Sequence, residues 1–140
     1  MIKMAGMWEV GWNTPIKEAE QWEFPLRDFG IDEFVMSPVS GIQNAAVKEV
    51  ANMETFLDEQ RAANYTIVFV DESASDNLTD FQHPLDNVVY VFGRASLSPM
   101  VAFSKPGDLK VKIPTKRNQG LLWAHQAATL IAYDRFLKDL

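Results

Sequence analysis

The sequence predicts an α/β domain, a mostly parallel sheet of five or six strands with helices on both faces. Three observations predict it. Strand-like and helix-like segments alternate along the chain. Two strands, Thr66 to Val70 and Asn87 to Phe92, are nearly continuous β-branched and aromatic runs, the pattern of strands buried on both faces. The second run stops at Gly93, which marks a place where a backbone comes close to something else.

The elements follow in order. Met7 to Trp12 alternates loosely and predicts a first short strand. Thr14 can cap a helix that Pro15 begins, with Ile16, Ala19 and Trp22 at helical spacing and Pro25 expected to end or kink it. A turn over Asp28 to Asp32 leads to a second strand, Glu33 to Met36, and the loop Ser37 to Gly41 follows. Residues 42–61 predict an amphipathic helix with Ile42, Ala46, Val50, Met53 and Leu57 on one stripe, closed by Asn64. After the strand Thr66 to Val70, the acidic loop Asp71 to Asn77 reads as turn and cap chemistry rather than a metal site. Leu78 to Phe81 predicts a short helix, Asn87 to Phe92 a fourth strand and Leu109 to Ile113 a fifth. The last helix, about 121–138, is apolar almost all round, more than one sheet can cover, so a second copy of the chain is the simplest partner for it.

At 140 residues the chain is expected to be one domain, 1–140, with a proper core. No apolar run reaches the ~18 residues of a membrane span. The absence of cysteine excludes disulfides, zinc–thiolate sites and thiol nucleophiles. A cytoplasmic protein is the expectation. The net charge of −6 argues against general coating of nucleic acid. All of that excess lies in residues 1–62. Lys105, Lys110, Lys112, Lys116 and Arg117 fall around an Ile-Pro turn, either as a solvated strand edge or as a patch for an anionic partner.

The stretch from His83 to Arg135 holds the candidate site. Tyr90-Val91-Phe92-Gly93, Val111-Lys112-Ile113-Pro114 and Gly120-Leu121-Leu122 would set three backbone turns at the carboxyl ends of parallel strands, where such sheets bind ligands. These turns, with His83-Pro84 before them and the helix Ala127 to Tyr133 after them, resemble the SpoU (TrmH-like) branch of the SPOUT class of RNA methyltransferases. Leu26 to Asp32 is similar to that branch's first helix and its exit. The resemblance implies a C-terminal deep trefoil knot, S-adenosylmethionine (SAM) bound in the knot region of about 83–135, an RNA substrate and an active site shared by two subunits. By position it places Phe92, Gly93, Ile113, Pro114, Gly120, Leu121, Leu122 and Trp123 around the cofactor.

Three departures bear on the chemistry. Phe24 stands where the branch has an arginine, Ala95 where it has a glutamate, and Trp123 within the run where it has Ser-Leu-Asn. An arginine can orient a ribose hydroxyl by charge and hydrogen bonding; a phenylalanine cannot. The pocket is better retained than the catalytic groups, which leaves a catalytically degenerate binding module as the other reading. Arg94, Ser96 and His125 are the substitute candidates for catalysis, and Lys105, Lys116 and Arg117 for RNA contact. A homodimer through the C-terminal helix is expected, with no metal and no membrane.

Overall fold

The computed structural model describes residues 1–9, 14–94, 97–116 and 122–139. Its elements are β1 (Ile2–Met7), α1 (Pro15–Asp28), β2 (Glu33–Ser37), β3 (Val47–Glu49), α2 (Met53–Ala62), β4 (Thr66–Val70), a 3-10 turn (Leu78–Asp80), β5 (Val88–Phe92), α3 (Pro99–Phe103), β6 (Leu109–Val111) and α4 (Ala124–Lys138). The strands form one six-stranded sheet in the order β3-β2-β1-β5-β4-β6. Every pairing is parallel, so the fold class is as the sequence predicts.

Alternation along the strands builds two apolar layers. Met4, Phe34, Val68, Val88, Tyr90 and Phe92 face α1 and α4, meeting Ala19, Trp22, Ala128 and Ile131. Ala5, Val35, Ile67, Phe69, Val89 and Val91 face the other way, toward Phe56 and Leu57 of α2, with Met100 and Phe103 of α3 packed against them. Trp22 is the anchor of the first layer, stacked on Phe34 at 4.4 Å and edge-on to Phe92 at 5.5 Å. It comes so close to β1 that a Cβ on Gly6 would lie 3.0 Å from its ring, which explains a glycine inside a buried strand.

Several expectations need correction. The first strand is Ile2–Met7, earlier than Met7 to Trp12. Lys3 broke its apolar pattern, but the amine finds Gln60 Oε1 at 2.9 Å and lies over the Tyr65 ring. Helix α1 begins as expected, with the Thr14 hydroxyl accepting from the Lys17 N–H, yet it runs past Pro25 to Asp28. The Phe29 N–H still finds the Pro25 carbonyl, so the last turn is intact. Ile16 is exposed, off the buried stripe.

Residues 42–61 are two elements. Val47 packs on the α1–α4 layer and Val50 on the α2–α3 layer. Opposite faces at an odd spacing belong to an extended chain, whereas a helical stripe would keep both on one side. Asn52 then caps α2 by accepting the Thr55 N–H. The last helix starts at Ala124, and the strand expected to reach Ile113 ends at Val111.

Candidate active site

At the carboxyl ends of the strands, the turns after β5 and β6 and the start of α4 come together. Phe92 and Val111 are buried in the same apolar cluster, and Ile113 and Ala124 pack against it. The turn after β5 is tight: a Cβ on Gly93 would lie 3.0 Å from the Leu97 carbonyl oxygen and 3.2 Å from Pro99. Asp71, directly after β4, ties these turns together. Its N–H donates to the Val111 carbonyl, and its carboxylate accepts the Ser98 hydroxyl at 2.6 Å and the Ser73 hydroxyl at 2.7 Å. Burial would raise its pKa, but those donors outweigh burial and hold it below the usual carboxylate range.

Arg94 follows Gly93 directly. Its Nη1 donates to the Trp8 carbonyl at 3.0 Å, bridging the ends of β5 and β1. Near it lies Glu18, 2% exposed in the first turn of α1, whose carboxylate accepts the Glu9 N–H at 2.9 Å. Burial raises the Glu18 pKa, and Glu9's negative charge adds to the rise, while the Glu9 N–H and the Arg94 charge oppose it. Glu18 was missed in the sequence, although it lies one helical turn before Trp22 on the same stripe.

Trp123 and His125 sit at the start of α4 with rings 5.5 Å apart and edge-to-face. Burial lowers the His125 pKa, so the imidazole is neutral near pH 7 and able to accept a proton. Leu122 and Trp123 are exposed. Ser96, Arg117, Gly120 and Leu121, with Ala95, lie outside the described residues.

Lys105 precedes β6, with its amine on Asp58 Oδ1 of α2 at 2.6 Å. There it belongs to a network in which Arg61 grips Asp108 with Nε at 3.1 Å and Nη2 at 2.6 Å. Lys116 follows β6 at its other end and is exposed. In the loop after β2, the Ser40 N–H and hydroxyl donate to Glu49, which also accepts the Trp8 indole N–H at 2.8 Å.

The SpoU methyltransferase AviRb from Streptomyces viridochromogenes, in complex with the cofactor AdoMet, superimposes with a TM-score of 0.75 at 16% identity, over 99% of this chain and 60% of that one. The chain has the SpoU methyltransferase fold. The A. aeolicus TrmH/SpoU tRNA modifying enzyme gives a TM-score of 0.73 at 16% identity, over 98% of this chain and 74% of that one. The AdoMet-bound rRNA methyltransferase from Sinorhizobium meliloti gives 0.71 at 14%, covering 99% and 57%. This chain therefore spans about three-fifths of AviRb's length. No protein-family model matches the sequence, and comparison with curated proteins finds no match. Among the described residues, no helix is long and apolar enough to cross a membrane.

Proposed function

We propose that the chain is a SAM-dependent RNA methyltransferase working as a homodimer, with SAM held in a knotted site. One observation carries this: a SpoU fold in which the turn after β5, the turn after β6 and the entry to α4 meet over one apolar cluster. The residues fit the cofactor. Gly93 permits close backbone approach, Ile113 and Pro114 supply an apolar wall, and Leu122 and Trp123 present exposed apolar surface for the adenosine. Gly120 and Leu121 belong to the same proposed wall.

Bound SAM would supply an activated methyl group on its sulfonium. The protein's part is to place an acceptor in line with that methyl group and to receive its proton. His125 is proposed as the base, being neutral and close to the exposed Trp123 on which a nucleobase can stack. Ser96 is proposed to position the acceptor, and Lys116 and Arg117 to hold phosphate. Lys105, engaged by Asp58, is the weakest of the three phosphate candidates.

The dimer reading rests on the outer faces of α1 and α4. Phe24, Leu130, Tyr133, Phe136 and Leu137 are exposed there, around the contacts of the Phe29 ring with Tyr133 and Phe136. A second reading is favoured by Phe24, which is 57% exposed where the branch has its arginine. On that reading the fold binds a nucleotide, RNA or a protein without turnover.

Incubation with methyl-labelled SAM and total RNA separates the two. Label in the RNA supports the methyltransferase. Binding of SAM by calorimetry with no label transferred supports the binding module, and no binding at millimolar SAM removes the cofactor claim.

A further inference from the structure

The second half of α1 and the loop that leads into β3 leave an open groove between them. Its volume is about 430 Å³, and it is lined by Glu23, Leu26 and Arg27 of α1 and by Gln43, Asn44 and Ala46 of the loop. That size suits one small organic molecule. The groove lies toward the β3 margin of the sheet, whereas α4, with Trp123 and His125 at its start, packs over β5. It is separate from the candidate active site.

One wall is held in place by its own hydrogen bonds. Asn44 Nδ2 donates to Glu23 Oε1 at 3.0 Å, and Asn44 Oδ1 accepts the Ala46 N–H at 2.9 Å. The Asn44 carbonyl accepts the Val47 N–H at 3.2 Å, which anchors the loop to the start of β3. Leu26, packed against the core cluster, supplies an apolar floor. Glu23 and Arg27 stand one helical turn apart, a spacing at which glutamate and arginine ordinarily pair. Here Glu23 is engaged by Asn44 instead, and the exposed Arg27 has no hydrogen-bond or ionic partner among the described residues. The groove therefore offers a free guanidinium fork beside a carboxylate whose Oε2 is open, over an apolar surface.

The two groups ask for opposite things of a ligand. An arginine fork donates two parallel hydrogen bonds to adjacent acceptors, and a carboxylate accepts from adjacent donors. A lone phosphate would meet Arg27 but be repelled by Glu23 and by the exposed Glu20 and Asp28 of the same helix. Guanine carries both patterns on neighbouring edges of one flat ring, with N7 and O6 as acceptors and N1–H and the N2 amine as donors. Adenine sets its amine between its acceptors, uracil sets an N–H between its carbonyls, and cytosine has a single donor group. We propose that the groove receives a guanine base, with N7 and O6 on Arg27, N1–H and the N2 amine on Glu23, and one ring face on Leu26. This site is independent of the SAM reading. It is a second nucleotide site, able to hold an unpaired guanine of an RNA or a free guanine nucleotide.

Calorimetric titration with guanosine and adenosine tests the site without SAM, so its failure leaves the methyltransferase reading standing. The wild-type protein should bind guanosine more tightly by about tenfold to a hundredfold, the range of a bidentate base contact. Arg27→Gln should bring the two affinities within about twofold of each other. Glu23→Gln, which can still accept from Asn44, should remove the preference for guanosine over inosine, the analogue without the N2 amine. No heat at millimolar guanosine overturns the proposal, as does equal wild-type affinity for the two nucleosides or a preference that survives R27Q. Should a variant fail to fold, inosine and 7-deazaguanosine decide on the wild-type protein: undiminished affinity for both overturns the proposal, and a loss of about tenfold for each supports it. Competition then separates the sources. Displacement of guanosine by a short RNA with one unpaired guanine, but not by its adenine counterpart, supports the site with RNA as its ligand; displacement by guanosine monophosphate alone supports it with a free nucleotide.

Discussion

Acidification should loosen α4 from the sheet through His83. The His83 side chain is 5% exposed and sits between β5 and α4, with Nδ1 at 2.7 Å from the Tyr90 hydroxyl and Nε2 at 2.7 Å from Asp134 Oδ2. Arg135 Nη1 donates to the same Tyr90 hydroxyl at 3.0 Å. One proton arrangement satisfies every group: neutral His83 donates from Nε2 to Asp134, the phenol donates to Nδ1, and Arg135 donates to the phenol. Burial pushes the Tyr90 pKa up to about 12, which keeps the phenol a donor. Protonating His83 would turn Nδ1 into a second donor against that phenol.

The pKa follows this logic. Burial lowers it from its ordinary 6.5, and the positive charges of Lys138 and Arg135 add to the fall, although the Asp134 hydrogen bond and charge oppose it. The folded state therefore binds fewer protons than the unfolded chain at pH values just below 6.5. His83 lends stability that is fully present above 6.5 and declines as pH falls toward the folded pKa, by at most about 1.4 kcal/mol per pH unit. The assay is urea unfolding of the wild type and His83→Gln at several pH values between 7.5 and 5. Carboxylate titrations are common to both proteins, so the difference between the two curves isolates His83. It should shrink on the acid side, because H83Q has no imidazole to protonate. Parallel curves would refute the reasoning.

Three further outcomes are expected. Trp22→Ala should cost about 3–5 kcal/mol in chemical unfolding, since it removes the ring that fills the space between Phe34, Phe92 and Gly6. Asp71→Ala should cost about 1–3 kcal/mol by leaving the Ser98 and Ser73 hydroxyls without their acceptor. Because the Asp71 pKa is depressed, that difference should be present at neutral pH and fade as pH falls through the folded value, a trend that denaturant titrations below pH 4 can read. Phe136→Asp with Leu137→Asp should convert a dimer to a monomer in sedimentation velocity; an unchanged sedimentation coefficient would remove α4 from the interface.

Much of the fold was legible because local rules and tertiary demands agree. Thr66 to Val70 and Val88 to Phe92 are buried on both faces, and an unbroken apolar run is the signal such strands leave. Thr14 and Pro15 mark a helix start because capping is a local matter. The stretch from Ile42 to Leu57 misled because its apolar residues recur every three or four positions, while the edge strand β3 uses only Val47 to Glu49 and partners β2 from outside the segment. β1 was obscured by Lys3, whose acceptable burial depends on Gln60 and Tyr65, far along the chain.

The site divides in the same way. Gly93 and the Ile113–Pro114 turn carry their own signatures. The roles of Glu18 and Glu49 were hidden because a buried carboxylate is defined by the donors folding brings to it: the Glu9 N–H for one, Trp8 and Ser40 for the other.

The sheet's margins bear on how the protein can meet a partner. β3 and β6, which close the two sides, are three residues each. Strands that short offer too few unpaired amides to template another chain by backbone addition. Association is thus steered to side-chain surfaces, where shape and sequence decide who fits. A closed assembly can form on the α1–α4 face without the sheet growing into an open-ended ribbon.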